Sequence, residues 1–200
     1  MTARRLSLYA TLINAILLLS PVHAADKPLA RIAFGSCAKE NKPQPIWHSI
    51  ADTKPQLFLF IGDNIYADTQ DMNLMWKKYQ MLGSKPGYQK LKNSCRIVAT
   101  WDDHDYGAND VGVEYPKKKE SQQLFLDFFG VPKDSPRRKR AGVYHAEIIG
   151  PVGKRVQIIL LDTRYFRSRL KNGGQKSEPG EGISGPYLPD DDNKKTVLGK

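Results

Sequence analysis

The chain has 200 residues, of which 40% are hydrophobic and 26% charged, as expected for a globular protein with one domain and a sizeable core. This composition argues against a collagen, a coiled coil and an array of short repeats. The formal net charge of +10 at pH 7 is strongly basic, and such a charge would attract a polyanion such as nucleic acid, phospholipid headgroups or a phosphorylated wall polymer.

The first 24 residues have the pattern of a secretory signal peptide. Arg4 and Arg5 precede an apolar stretch over residues 6–19, and small residues surround a cleavage point after Ala24. The apolar stretch is short for a membrane span, although an uncleaved anchor is the alternative. In either case we expect the folded part to work outside the cytoplasm, in the periplasm or as a secreted protein. After cleavage we expect no stable membrane span.

Three short apolar runs predict buried strands of a mostly parallel sheet. They cover residues 30–34, 57–61 and 97–101, and each ends in glycine or polar residues. Amphipathic helices are predicted between them, over residues 43–51 and 71–82. The unit is therefore β-α-β-α-β with right-handed crossovers, and ligands are expected just beyond the carboxyl ends of its strands.

The pattern changes after the third strand. A polar loop at residues 106–112 is long enough to cover the mouth of a site, and a helix is predicted over residues 117–130. A basic linker over residues 131–142 leads into a β-hairpin formed by residues 142–149 and 155–161.

Residues 168–200 are polar and rich in Gly, Pro and Asp, with no periodic apolar pattern. A tail of about thirty residues without secondary structure is unusual on a compact domain. It indicates either a disordered extension or a protein that is cut short. The predicted organisation is thus a signal peptide (1–24), one α/β domain (25–167) and an irregular tail (168–200).

The two cysteines could pair only with each other, and an exported protein allows a disulfide. However, Cys37 follows the first predicted strand whereas Cys95 directly precedes the third, so they should lie at opposite ends of the sheet. A strand of about six residues separates those ends by roughly 17–20 Å, which is more than a disulfide spans. We therefore interpret Cys37 as a free thiolate and Cys95 as a small buried apolar residue.

Polar clusters follow all three strands of the predicted sheet. Cys37 lies after the first, Asp63 and Tyr66 after the second, and residues 102–105 (DDHD) after the third. Because buried carboxylates repel one another unless a cation offsets their charge, this clustering predicts bound metal in preference to strongly shifted pKa values. An aspartate bonded to turn amides and an Asp-rich solvated loop are the alternatives without metal.

The residue types in these clusters suit hard cations. Asp63 could bridge two metal ions, and Tyr66 as a tyrosinate suits a high-valent iron. Such a cation would stabilise the negative charge of all the carboxylates in residues 102–105. His104 could either ligate the metal or donate a proton to a leaving group.

Four motifs in this order resemble the PhoD-like branch of the metallophosphatases, the exported alkaline phosphatase D group. They are residues 34–37 (FGSC), 62–66 (GDNIY), 100–105 (TWDDHD) and 161–164 (LDTR). The resemblance covers about residues 30–170. Each motif alone is weak, but their joint occurrence is specific.

The resemblance implies an α/β fold, a metallophosphatase-like layered sandwich with a central, mostly parallel sheet, which in the family has helices around two sheets. It also implies iron together with calcium, or other divalent metals, and the hydrolysis of phosphomonoesters or phosphodiesters. By matching motifs, Cys37 and Tyr66 would ligate the iron, Asp63 would bridge the metals, and Asp103 would ligate the second metal.

The resemblance also implies roles for three further residues. His104 is similar to the histidine that other metallophosphatases use to stabilise charge on the phosphate, and Asn109 would add a metal ligand. Arg164 would contact the substrate phosphate through a bidentate interaction, or would pair with Asp162 instead.

The chain departs from the family towards its end. Relatives continue with a further helix, a second half-sandwich and a Gly-Asp-x-His segment that supplies more metal ligands, and no such segment occurs here. We therefore expect an amino-terminal portion that is incomplete at the C-terminus, with impaired activity.

The predicted function is an exported metal-dependent phosphatase or phosphodiesterase whose partner is a phosphate ester. The alternative is a non-catalytic basic module that binds phosphorylated polymers or nucleic acid through residues 117–119 and 137–140. We favour solvated loops over a specific nucleic-acid site because neither basic run is interleaved with aromatic residues.

Overall fold

A parallel sheet of three strands lies at the centre of the computed structural model, which describes residues 27–171 and 187–199. The strands are β1 (Ile32–Gly35), β2 (Leu57–Ile61) and β3 (Arg96–Thr100), and β2 lies between the other two. The predicted mostly parallel sheet is confirmed. The predicted signal peptide lies outside the described residues.

Helices connect the strands and cover one face of the sheet. They are α1 (Ile46–Asp52), α2 (Met72–Gly83), α3 (Pro86–Ser94), the single turn α4 (Asp103–Tyr106) and α5 (Lys118–Phe128). The structure confirms the predicted helices that correspond to α1, α2 and α5. The sequence pattern did not reveal α3, because its short run buries only Gly87, Tyr88 and Leu91 and is otherwise polar.

The helices pack through an aromatic core. Trp47 of α1 lies with its ring 5.6 Å from that of Phe60 on β2, and Phe60 lies 5.6 Å from Phe129 at the end of α5. Offset and tilted ring pairs of this kind add to the stabilisation from buried apolar area. This core holds the helices against the sheet and keeps the carboxyl ends of the strands accessible.

The predicted hairpin is confirmed and covers the opposite face of the parallel sheet. Its strands, β4 (His145–Ile149) and β5 (Val156–Leu160), pair antiparallel. Ile158 and Leu160 pack in one buried cluster with Leu57 of β2 and Val98 of β3. The layers are therefore helices, the parallel sheet and the hairpin.

Residues 187–199, the final described residues, run over the surface without helix. The Ser168 N–H donates to the Thr196 carbonyl, and the Leu188 N–H donates to the Lys171 carbonyl. Among the described residues, no helix combines the length and apolar character needed to cross a bilayer.

Both cysteines are free, as the predicted sheet requires. Cys37 is exposed beyond the carboxyl end of β1, and Cys95 is half-buried just before β3. Burial raises the pKa of the Cys95 thiol, which agrees with its interpretation as an apolar residue.

The hairpin provides a matched test of the layered packing. Ile158 is 6% exposed, whereas its neighbour Ile159 faces outward and is 61% exposed. Ile158→Ala should lower the free energy of unfolding by about 2–4 kcal/mol, because it leaves a cavity between the two sheets. Ile159→Ala should cost less than about 1 kcal/mol. Urea unfolding of both variants measures the difference, and equal losses would contradict this packing.

Candidate metal centre

The three predicted clusters meet at one edge of the sheet. Asp63, Asp103 and His104 each offer a ligand atom, and these atoms all lie within 4.8 Å of one another. The Cys37 Sγ lies 3.6 Å from the Asp63 Oδ2. Because β1, β2 and β3 run parallel and in register, the residues that follow each strand converge at the same edge. Their roles as metal ligands stay predictions.

Tyr66 belongs to the same cluster. Its ring centroid lies 4.3 Å from that of His104, and the Lys39 ammonium lies over the Tyr66 ring, 5.0 Å from its centroid. Burial, a hydrogen bond with Cys37 and the charge of Asp63 raise the pKa of the Tyr66 phenol. A cation at this position would oppose that rise by stabilising the phenolate.

An ion pair between a buried carboxylate and a half-buried lysine holds the Tyr66 turn in place. The Glu40 carboxylate is almost fully buried and accepts a hydrogen bond of 2.8 Å from the Tyr66 backbone N–H. Lys78 on α2 donates both to Glu40, at 3.1 Å, and to the Tyr66 carbonyl. Removing the Lys78 charge would leave the buried Glu40 carboxylate without a counter-charge, so the pair ties the turn to α2.

The Asp63 turn requires glycine before it. Gly62 has φ +114°, and a β carbon there would lie 2.5 Å from the Asp102 Cβ. The turn after β2 and the turn after β3 are therefore in direct contact. This close approach brings Asp63 next to Asp103.

Backbone strain concentrates around the cluster. Five described residues other than glycine have positive φ, and four of them lie at this edge: Cys37, Asp63, Asp68 and Asp110. Such conformations cost about 1–3 kcal/mol each and persist where the surroundings impose them. Their concentration marks the edge as a constrained site.

The three carboxylates of the DDHD segment make different contacts, so the expectation that one cation stabilises all of them is wrong. Only Asp103 faces the cluster; its Oδ2 accepts a hydrogen bond of 2.7 Å from the Asp110 N–H. Asp102 pairs with Arg164. Asp105 is fully buried and accepts a 2.5 Å hydrogen bond from the Asn64 side chain.

Asp105 acts as a structural clamp between the two turns. One of its oxygens accepts from the Asp102 N–H at 2.8 Å, and the other accepts from Asn64 in the turn after β2. Burial raises the pKa of Asp105 well above its usual value. The side chain thus connects the turns and does not contribute to the open cluster.

Arg164 forms an ion pair with Asp102, with 2.5 Å between Nε and Oδ1. Its Nη2 lies 3.9 Å from the Asp103 Oδ1, at the margin of the cluster. The alternative pairing with Asp162 is wrong. Asp162 instead accepts hydrogen bonds from backbone N–H groups, those of Val143, Arg164 and Tyr165.

Asn109 lies beside the cluster in the polar loop. Its side-chain amide donates to the Asp110 Oδ2 at 2.7 Å, and its backbone N–H donates to Asp68 at 2.9 Å. The polar loop therefore lies against this edge of the sheet. The hydrogen bonds of Asn109 go to neighbours of the Asp63–Asp103 pair, and its role as a metal ligand stays a prediction.

The electrostatics of the cluster fit a cation. Burial and the charge of Asp103 raise the pKa of Asp63. The buried Asp63 Oδ1 accepts no hydrogen bond from the part of the chain that the structure describes. A lone carboxylate oxygen beside a second carboxylate is the arrangement that a bound cation would stabilise. Thiolate, phenolate, imidazole and carboxylate donors lie together here and suit an iron or another transition metal.

Sequence reasoning missed Asp68. Both its carboxylate oxygens lie near the His104 Nδ1, at 2.7 and 2.9 Å. Burial by itself lowers the pKa of His104, but the hydrogen bond and charge of Asp68 outweigh it and raise the pKa. The residue lies two positions after the GDNIY motif in an irregular turn, where no periodicity signals its direction.

The close contact at Gly62 leads to a matched prediction. Gly62→Ala and Gly153→Ala both place alanine at a positive φ, which costs about 1–2 kcal/mol. Only the first meets a neighbour, since nothing lies within 4 Å of a β carbon at Gly153. Thermal unfolding should therefore show a further loss of about 1–3 kcal/mol for Gly62→Ala. Equal losses would mean that the two turns are not in contact.

Comparison with known proteins supports the fold. No known family's sequence profile matches the chain, and no curated protein is significantly similar to it. A solved structure described as "Structure of PhoD" is similar to 88% of this chain, with a TM-score of 0.66 and 18% sequence identity. The match covers 38% of the solved chain, so this chain spans well under half of that protein's length. The chain has a mixed α/β, PhoD-like fold.

Proposed function

We propose that the chain is the metal-binding part of an exported metal-dependent phosphomonoesterase or phosphodiesterase. One observation carries the proposal: Cys37, Asp63, Tyr66, Asp103 and His104 lie together at the carboxyl edge of the sheet. The resemblance assigns the first four to the metal centre and His104 to the substrate phosphate. The similarity to the PhoD structure supports the fold on which that chemistry depends.

The cluster has the donors for two different metals. Cys37 and Tyr66 offer sulfur and phenolate, which suit iron, while Asp103 offers oxygen, which suits calcium or another divalent ion. Asp63 lies between them and would bridge. Metals held there would polarise a phosphoryl oxygen and lower the pKa of a bound water, which is the chemistry that phosphate-ester hydrolysis requires.

His104 and Arg164 are the residues proposed to meet the substrate. His104 lies within the acidic cluster and would stabilise charge on the phosphate or donate a proton to the leaving group. Arg164 is anchored through Nε to Asp102, and its Nη2 lies 3.9 Å from the Asp103 Oδ1, so its terminal nitrogens would bind a phosphate oxygen at the margin of the site.

Export and the nature of the substrate complete the proposal. The basic and apolar start of the sequence supports a signal peptide and a periplasmic or secreted location. The substrate is a phosphate ester. Because the chain spans 38% of the PhoD chain that it matches, we expect low activity unless further chain completes the site.

The rival function, a basic module that binds polyanions, has less support. Most cations of the two basic runs already contact carboxylates, carbonyls or aromatic rings: Lys117–Glu120, Lys118–Tyr165, Arg137–Val143, Arg138–Asp127 and Arg140–Tyr144. The exposed Lys119 and Lys139 form no ion pair within the described residues. Two isolated lysines would attract a polyanion only weakly.

Asp63→Asn is the direct test of the metal centre. The variant should bind less iron and calcium than the unaltered chain, by more than about tenfold, because even partners of metal ligands contribute that much to affinity. Elemental analysis after metal loading and desalting measures the content. Turnover of p-nitrophenyl phosphate and bis-p-nitrophenyl phosphate, where present, should fall in parallel.

Asp52→Asn is the matched control for the charge change. Asp52 is an exposed carboxylate at the end of α1 that pairs with Lys90, so its loss should leave metal content unchanged. Metal content that is equally high in both variants would contradict the proposal. Salt-sensitive binding to DNA or polyphosphate, without metal or turnover, would favour the basic module instead.

A further inference from the structure

We propose that the protein binds a small tetrahedral oxyanion, phosphate or sulfate, in a cavity between β3, the end of α5 and β4. The cavity has a volume of about 90 Å³, and Arg137 and His145, which line it, bind the ion. None of the described residues that line the cavity belongs to the candidate metal centre. The inference therefore does not depend on the proposed hydrolase.

The main observation is a half-buried guanidinium without a counter-charge. The Arg137 Nη2 donates to the Val143 carbonyl at 3.1 Å, but the buried Nε has no hydrogen-bond partner among the described residues. No carboxylate in the part of the chain that the structure describes forms an ion pair with Arg137. Because a desolvated charge without a partner is unfavourable, the surroundings of Arg137 favour an anion.

A second guanidinium adds to the positive charge. Burial, and then the charge of Arg140, lower the pKa of Arg137 to about 10. Arg140 donates through Nη2 to the Tyr144 carbonyl, and its guanidinium lies 4.0 Å from the centroid of the Tyr144 ring. These contacts of Arg140 are with neutral groups, so they do not compensate its charge.

The other charged groups that line the cavity are Arg96, His145 and Glu147. Arg96 donates to the Glu147 Oε2, and the His145 Nε2 lies 3.8 Å from the same oxygen. Burial, and then the charge of Arg137, lower the pKa of His145. Since two guanidiniums and an imidazole face one carboxylate, the cavity keeps an excess of positive charge.

A buried glutamine of α5 holds the backbone on which both guanidiniums are carried. The Gln122 Nε2 donates to the Arg137 carbonyl at 3.2 Å and to the Arg140 carbonyl at 2.8 Å. Its Oε1 accepts from the Gly142 N–H at 3.1 Å. The basic linker is thus fixed against the helix, and little ordering is needed when an ion binds.

The size and lining of the cavity limit the ligand. A water molecule takes about 30 Å³ in the liquid, so the cavity of about 90 Å³ has room for about three waters or one oxyanion. Phe125, Phe129 and Val131 supply apolar walls, which strengthen the attraction between the ion and the guanidinium. Arginine suits oxyanions because its planar fork donates two parallel hydrogen bonds. The site therefore takes the free ion.

Water alone is the alternative occupant. The buried Glu147 Oε1 also lacks a hydrogen-bond partner among the described residues, and a water could bridge it to Arg137. Water would satisfy both polar atoms but would leave the excess charge uncompensated. Added oxyanion distinguishes the two occupants, since only a charged site binds it with a defined stoichiometry.

Calorimetric titration of the full chain with sodium sulfate, at an ionic strength kept constant with sodium chloride, tests the proposal. A phosphatase does not hydrolyse sulfate, so turnover does not interfere. The unaltered chain should bind one ion. Arg137→Gln should weaken binding about 10- to 100-fold, which corresponds to the loss of a charge-assisted hydrogen bond. Glu147→Gln should strengthen binding, because it removes a carboxylate from the cavity wall.

Arg155→Gln is the matched control for the charge change. Arg155 is exposed just before β5, so its loss should leave the affinity for sulfate unchanged. Asp63→Asn should also leave it unchanged, which separates this site from the metal centre. No binding by the unaltered chain, or equal affinity in Arg137→Gln, would overturn the inference, and so would binding that is altered only by Asp63→Asn.

Thermal unfolding separates lost binding from lost folding. Arg137→Gln should keep a cooperative transition, since it removes a charge that has no partner among the described residues. Sulfate at a hundredfold excess over its dissociation constant should raise Tm by about 5–10 °C more in the unaltered chain and in Arg155→Gln than in Arg137→Gln. The general stabilising effect of sulfate is common to all three. Equal shifts would contradict the site.

Proton NMR locates the ion. Bound sulfate stabilises the imidazolium and should raise the pKa of His145, whose signal is assigned with a His145→Gln sample. An unchanged pKa would overturn the position of the site.

Phenylphosphonate tests whether the site takes the free ion. It carries a similar oxyanion on a bulky ring, and a phosphatase does not cleave its C–P bond. It should bind at least about tenfold more weakly than phosphate, because the ring does not fit the cavity. Equal or tighter binding would overturn the assignment to a free ion.

Discussion

The site depends on one constraint: two turns that carry carboxylates must approach closely although their charges repel. The parallel register of β2 and β3 brings the turns together, and the bare backbone of Gly62 lets Asp102 approach it. The turn after β1 joins them through backbone hydrogen bonds, from the Cys37 N–H to the Gly62 carbonyl and from the Ala38 N–H to the Asp63 carbonyl. Each of the three turns is therefore held in place by contacts with its neighbour.

The repulsion between the carboxylates is reduced because each of them has a different environment. Asp102 forms an ion pair with Arg164. Burial raises the pKa of Asp105. For Asp103, burial acts to raise the pKa, but the hydrogen bond from Asp110 and the charge of Arg164 outweigh it and lower the pKa. Of these four carboxylates, only Asp63 has a buried oxygen without a hydrogen-bond partner among the described residues. A bound cation would be stabilised most at this position.

Positively charged side chains form two runs of the sequence, residues 117–119 and 137–140. These two cationic runs lie at the start of α5 and in the linker that follows α5, where most of their side chains contact neighbouring residues. Arg138 illustrates the point, because it pairs with Asp127 and is almost fully buried. A high net charge therefore does not by itself define a binding surface, since a cation that is already paired gains little from a second anion.

The sequence alone determined the strands, three of the helices, the hairpin and the identity of the polar clusters, because apolar periodicity and glycine reflect local requirements of the backbone. It also placed the cysteines at opposite ends of the sheet. The tertiary structure decided which carboxylates face the cluster, the partner of Arg164 and the contact between Asp68 and His104. These depend on the direction of side chains in turns, where neighbours distant in sequence set the conformation and no periodicity records it.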